Sequence, residues 1–218
     1  MPPRISLHCR VLGLRAGISA DLKSGWDFMK PSHRAQLLQE VDQRRPKYLF
    51  TCSPCTFYSW FMKQWNFKRM KRERIEVLRT EATVLFEFGM LLCRKQAMAS
   101  RRYAHEHPSN ATSWTLSSTL NVQRQHGGMI AAFDQCQFGL RMPNSQKLVK
   151  KRTKVMTNSV SIFHALNTVN CKCAPGTHQR CAGSDGGVAV SRFCQMYPRA
   201  FCEVIAQAIR DEIEFWGD

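Results

Sequence analysis

Two short apolar runs separated by one long amphipathic run constrain the fold of this chain most. Residues 48–52 (YLFTC) and 102–106 (RYAHE) have the length and residue types of buried strands. Between them Ile75, Leu78, Ala82, Leu85, Phe86, Gly89, Met90 and Cys93 recur at helical spacing. That spacing predicts a helix over about residues 70–99 with one buried face. Strand, helix, strand in this order predicts neighbouring parallel strands, since a parallel pair needs a crossover connection. Ser53-Pro54-Cys55 and Glu106-His107-Pro108, which leave the two strands at their carboxyl ends, then lie where open α/β sheets bind ligands.

The rest of the chain continues the alternation. A short helix is expected over 6–14, and residues 17–22 (GISADL) read as a strand ending in an acid. Ser32 suits an N-cap for a helix running to Arg44, before Pro46. Helix follows over 111–125, strand over 129–133 and 154–157, and helix over 159–166. The C-terminal helix spans 198–215, with Pro198 at its first turn. No internal repeat interrupts this order. The 218 residues suit a single α/β domain over 1–218, with a Cys-, Gly- and His-rich loop or small insert at 170–187.

Charge narrows the partners. The chain has 32 Lys and Arg against 16 Asp and Glu, a net +16, which favours a polyanion, DNA or alternatively RNA. The N-terminus lacks the apolar stretch of a signal peptide, and no run approaches the ~18 residues of a membrane span. Six of the ten cysteines (Cys9, Cys52, Cys55, Cys93, Cys136, Cys194) lie in apolar or strand-like stretches. Reduced thiols, an intracellular setting and no membrane partner follow as expectations.

Cysteine is the side chain best able to attack an electron-poor carbon near neutral pH, which makes Cys55 a candidate nucleophile. A buried structural cysteine is the competing reading. Glu106, on the adjacent strand, could hydrogen-bond a bound base and share a proton with its ring. A surface acid paired with the many basic residues is its competing reading.

Together these features resemble a family. Pro54-Cys55-x-x-Tyr58-Ser59 resembles the Pro-Cys-Gln-x-Phe-Ser nucleophile motif of DNA cytosine-C5 methyltransferases. Glu106 resembles the acid of their Glu-Asn-Val motif, and the long helix between the two fits as well. The nearer likeness is to divergent methyltransferase-like domains of phage and of retroelement-associated algal proteins. Their motif series is matched by Cys55-Thr56, by Glu106-His107-Pro108 with Ser113-Trp114, and by Gln135-Cys136-Gln137-Phe138-Gly139. Lys151-Arg152-Thr153 with Thr157-Asn158 completes the series, which covers nearly the whole chain. Amino-methyltransferases place Asp/Asn/Ser-Pro-Pro-Tyr/Phe at this junction, and only Ser53-Pro54 matches them.

The resemblance implies a Rossmann-like, S-adenosylmethionine-dependent methyltransferase sheet with helices on both faces. It implies that Cys55 attacks C6 of a cytosine held out of the stack and that Glu106 hydrogen-bonds N3. It implies cofactor contacts from Asp21 (ribose hydroxyls), Asp27 (adenine amine), Trp26 and Pro54. It also implies a missing first strand, since Met1-Pro2-Pro3-Arg4 corresponds to the turn that cradles the methionine end. Lys151 or Arg152 is implied as the base-carbonyl contact, with Thr153 beside them. The alternative is a catalytically inactive, basic nucleic-acid-binding remnant of this fold from a mobile element.

From the residues themselves, the stretch after Cys55 interleaves aromatics with basic side chains. Phe57, Tyr58, Trp60, Phe61, Trp65 and Phe67 alternate with Lys63, Lys68 and Arg69, which with Ser59 suits nucleic-acid contact. An amphipathic helix start with a solvated face suits it too. Lys147, Lys150, Lys151, Arg152 and Lys154 form a second basic cluster. Cys171, Cys173, His178 and Cys181 form C-x-C-x4-H-x2-C, suggestive of zinc but without the usual C-x2-C pairing. The Gly-rich context equally suits a plain loop, so no metal is assigned to these residues.

Overall fold

A computed structural model of the protein describes residues 4–59 and 62–216, with the side chains of Lys63, Trp65 and Trp216 outside the described part. The described chain begins with α1 (Arg4–Val11), then α2 (Pro31–Arg44), β1 (Tyr48–Cys52) and α3 (Arg72–Met98). It continues through β2 (Arg102–Pro108), α4 (Ser117–Gln125), β3 (Met129–Asp134), β4 (Leu148–Val149), β5 (Arg152–Thr157) and α5 (Val160–Leu166). The last part holds β6 (His178–Gln179), β7 (Ser184–Asp185), β8 (Val188–Ala189), α6 (Val190–Phe193) and α7 (Arg199–Trp216). A four-stranded sheet runs in the order β1-β2-β5-β3.

The chain divides into two compact units. The first takes residues up to Gly17, Ala131–Lys154 and residues from Val160 on; the second takes Ile18–Ile130 and Val155–Ser159.

In the second unit β1 and β2 pair in parallel, with Cys52 level with Glu106. The crossover is α3, as its hydrophobic spacing requires. From Ala82 onward it buries two sides. Ala82, Phe86, Met90 and Cys93 join Tyr58, Tyr103, Trp114 and Met156 in one cluster. Phe88 and Leu92 meet Leu37 and Val41 of α2 in another, with Leu49, Trp26 and Phe28 alongside. Gln96, fully buried, holds the entry to both strands: its amide nitrogen donates to the carbonyls of Pro46 (2.9 Å) and Arg102 (3.1 Å). Its oxygen accepts from Arg101 Nε at 2.6 Å.

The end of β5 lies against the start of β2. Tyr103 N donates to Asn158 Oδ1 (2.8 Å), and Thr157 Oγ1 donates to Tyr103 O (2.5 Å). β5 therefore opposes β1 and β2 in direction, so the protein is mixed α/β with a mixed sheet. In the first unit, Phe133, Phe138, Tyr197 and Phe201 form an aromatic cluster with ring centroids 5.0–5.6 Å apart. A second cluster gathers Leu140, Met142, Val149, Val190 and Cys194.

Two expectations are corrected. Residues 17–22 are not a strand: Asp21 caps a single 3-10 turn, Leu22–Ser24. Asp21 Oδ1 accepts from Lys23 N (2.8 Å), and Ser24 Oγ accepts from Asp21 N (3.0 Å) while donating to Ser19 O (2.9 Å). Local Ser and Asp side chains thus take the backbone groups a strand ladder would need. The helix expected over 111–125 breaks into a 3-10 turn, Thr112–Thr115, and α4, because Leu116 is extended between them.

Candidate functional site

The candidate site lies at the carboxyl ends of β1 and β2, within the second unit. β1 delivers Cys52 to an exposed position, and Cys55 follows three residues on, half-exposed. On β2, alternate side chains point opposite ways. His105 and His107 are fully buried and pack their rings on Phe86 and Trp114, with centroids 5.3–6.4 Å apart. Glu106, between them, is 6% exposed, and its Oε1 is enclosed from solvent.

The histidines fix the strand end. Thr51 Oγ1 bonds His105 Nδ1 at 2.9 Å, and His107 Nδ1 bonds Ser113 Oγ at 2.6 Å. Burial, then the neighbouring His107, pushes the His105 pKa well below its ordinary value, so this ring is neutral at neutral pH. Below the same strands, burial pushes the Cys93 thiol up to about 12, which makes it inert.

The loop carrying Cys55 is tied down from three sides. Ser53 Oγ donates to Leu85 O of α3 at 3.3 Å. A Cβ placed on Gly89 would sit 2.9 Å from Ser53 Oγ, so only glycine lets the loop approach α3 this closely. Tyr58 is 5% exposed against Phe86, and its carbonyl accepts from Thr112 N at 3.0 Å. A mobile-looking sequence of small and polar residues is thereby given a set geometry.

The expected nucleic-acid residues divide. Lys68 and Arg69 are exposed on a 3-10 turn, Phe67–Arg69. Ser59 is half-buried, its hydroxyl donating to Thr56 O (3.0 Å) and accepting from Met62 N (3.3 Å). Trp60 and Phe61, and the side chains of Lys63 and Trp65, lie outside the described residues. Phe57 and Phe67 pack on each other, centroids 5.3 Å apart, and Phe57 also meets the core, so these two aromatics serve packing.

In the first unit, Arg152 pairs with the buried carboxylate of Asp134 at 3.0 Å, and Lys151 Nζ donates to Cys194 O at 3.1 Å. Thr153 is fully buried, accepting from Gln135 Nε2 at 2.9 Å, which corrects its expected place on a contact surface.

The expected cofactor residues serve local structure. Asp21 is exposed and caps its own turn. Asp27 Oδ1 accepts from Met29 N at 3.0 Å, and Trp26 packs with Phe28, His33 and the α2–α3 cluster. Pro54 is exposed, and Pro2 and Pro3 lie outside the described residues.

A further group was only half legible. The ligand atoms of Cys136, Cys171, Cys173 and His178 all lie within 4.8 Å of one another. Cys136, from the turn after β3, stands where the spacing pointed to Cys181. Comparison with family models, curated proteins and solved structures finds no match for this chain.

Proposed function

We propose that the chain is a nucleic-acid-directed domain of cytosine-C5 methyltransferase type, with Cys55 as nucleophile and Glu106 as its acidic partner. The observation that carries this reading is the parallel register of β1 and β2, with Cys52 level with Glu106. It brings a thiol-bearing loop and a buried carboxylate to the same end of adjacent strands. The ordered motif series and the net charge of +16 support it. The Rossmann-like assignment rests on the same resemblance.

The chemistry assigned to these two residues is addition. The Cys55 thiolate forms a bond to C6 of a cytosine turned out of its stack, and the C5–C6 π electrons move into the ring. Glu106 hydrogen-bonds N3 and supplies the proton that stabilises the resulting enamine. Reversal expels the thiolate and restores the ring.

In the family resembled, S-adenosylmethionine supplies the methyl group. The residues expected to bind it do not fit that task as arranged, because Asp21 is a turn cap and residues 17–22 form no strand. That same observation favours the second reading, a basic nucleic-acid-binding relative of the fold that does not transfer methyl groups.

An oligonucleotide with 2-pyrimidinone in place of cytosine, electron-poor at C6, tests the nucleophile without any donor. Wild type is expected to form a covalent adduct that Cys55→Ala abolishes; an adduct that survives in Cys55→Ala sinks the assignment. Labelled S-adenosylmethionine with DNA then separates the two readings, since only the first predicts transfer. Binding to DNA is expected to weaken steeply with salt, and a flat salt dependence contradicts phosphate contact.

A further inference from the structure

We propose that Cys136, Cys171, Cys173 and His178 hold one zinc ion in a closed, structural Cys3His site. The donors come from three separate places in the first unit. Cys136 lies in the 3-10 turn Gln135–Phe138 that follows β3, Cys171 and Cys173 lie in the irregular segment after α5, and His178 opens β6. Such convergence is not a consequence of local sequence spacing, because Cys136 is far from the other three along the chain.

The geometry suits a tetrahedral ion. Ligand atoms around zinc, at bond lengths of about 2.1–2.3 Å, lie about 3.5–3.8 Å from one another. Cys171 Sγ and His178 Nε2 are 3.5 Å apart, and all four donor atoms fall within 4.8 Å of each other. Three thiolates and one imidazole are soft and borderline donors, a set that favours zinc over magnesium or calcium. Four protein ligands leave no open position, so the role is structural.

The surroundings fit a thiolate cluster. The Gln137 side-chain amide donates to Cys173 Sγ (3.4 Å) and, at 3.9 Å, to Cys136 Sγ, the kind of outer contact that orients metal ligands. Asp134 anchors the approach: its Oδ2 accepts from Cys171 N at 2.9 Å, and its own N donates to Val169 O at 3.0 Å. His178 is placed by parallel pairing of β6 with β4, His178 opposite Leu148. Three thiolates around Zn2+ leave one net negative charge, and Lys150, whose charge acts on Cys171, is a counter-charge. Binding displaces three thiol protons to solvent.

Cys181 is outside the set; it is a free thiol hydrogen-bonded to the Cys194 thiol instead. It is the built-in control. Zinc analysis of the whole chain, expressed with zinc and dialysed against metal-free buffer, is expected to find one equivalent. Cobalt is expected to replace it with the visible bands of a tetrahedral thiolate site. Cys136→Ser is expected to lose the equivalent, while Cys181→Ser keeps it. Wild type far below one equivalent, or loss in Cys181→Ser with retention in Cys136→Ser, overturns the site. Should Cys136→Ser fail to fold, alkylation mapping of the wild type decides: bound metal shields Cys136, Cys171 and Cys173, and shielding of Cys181 in place of Cys136 refutes the ligand set.

Discussion

The two cysteine regions of this protein are held in different ways. Cys55 sits on a loop fixed by apolar packing and a strand ladder. Phe86, Tyr58, His105, His107 and Trp114 interlock beneath it, and β1 and β2 run in register beside α3. The Cys136–Cys171–Cys173–His178 group sits on short strands and turns, anchored by Asp134 and Gln137. Burial holds the first in place, and polar contacts with sulfur chemistry hold the second. A hydrophobic core sets a geometry from far along the chain, whereas a loop of small and polar residues needs a ligand or a network of hydrogen bonds.

The largest expected effect breaks the first region. Phe86→Ala empties a fully buried site touched by Tyr58, His105 and His107 and is expected to cost about 3–5 kcal/mol. The midpoint of urea unfolding measures it; a loss under about 1 kcal/mol would mean that the ring does not support the loop.

Acid acts on the same core. The folded pKa of His105 is depressed below its ordinary 6.5, so the unfolded chain binds the proton first. Its contribution is present above pH 6.5 and is lost as pH falls from there towards the folded pKa. The slope is at most about 1.4 kcal/mol per pH unit for this one group. Unfolding midpoints between neutral pH and mild acid give this slope, and His105→Gln is expected to flatten it.

Gly89→Ala sharpens the contrast further. Its new Cβ would lie 2.9 Å from Ser53 Oγ and break the bond to Leu85 O. The expected cost is about 1 kcal/mol, with slower reaction of Cys55 towards the pyrimidinone probe. Removing the obstructing hydroxyl in Ser53→Ala/Gly89→Ala is expected to recover part of that rate. A double variant no faster than the single one would place the constraint elsewhere.

The smallest effect is chemical and leaves stability alone. Cys181 is exposed, and its hydrogen bond with the Cys194 thiol brings its own thiol down to about 7, with Lys151 assisting, while Cys194 is pushed up. Alkylation against pH is expected to show Cys181 reacting with a midpoint near 7, and Cys194 silent. Equal labelling of both would remove the distinction.

Much of the second unit was legible in the residues. YLFTC and RYAHE became β1 and β2 within a residue or two, and the periodic run between them became α3, because strand and helix periods are local properties. The placing of Cys55 near the end of β1 and Glu106 near the end of β2 followed from chain order alone. Residues 17–22 misled because their apolar alternation outweighed the Asp21-x-x-Ser24 capping box, which was present in the sequence. Thr153 was placed on a contact surface by the family resemblance, while its hydroxyl accepts from Gln135 in the interior.

The sequence by itself thus determined the strand–helix–strand frame, the place of the Cys55 loop at its end and the basic charge, all carried by period, order and composition. Only the tertiary structure decided that Gly89 admits Ser53, that Gln96 joins the two strand entries, and that Cys136 rather than Cys181 completes the sulfur and imidazole group. Each of these depends on contacts between residues remote in sequence. Spacing along the chain carries no information about such contacts until packing brings the segments together.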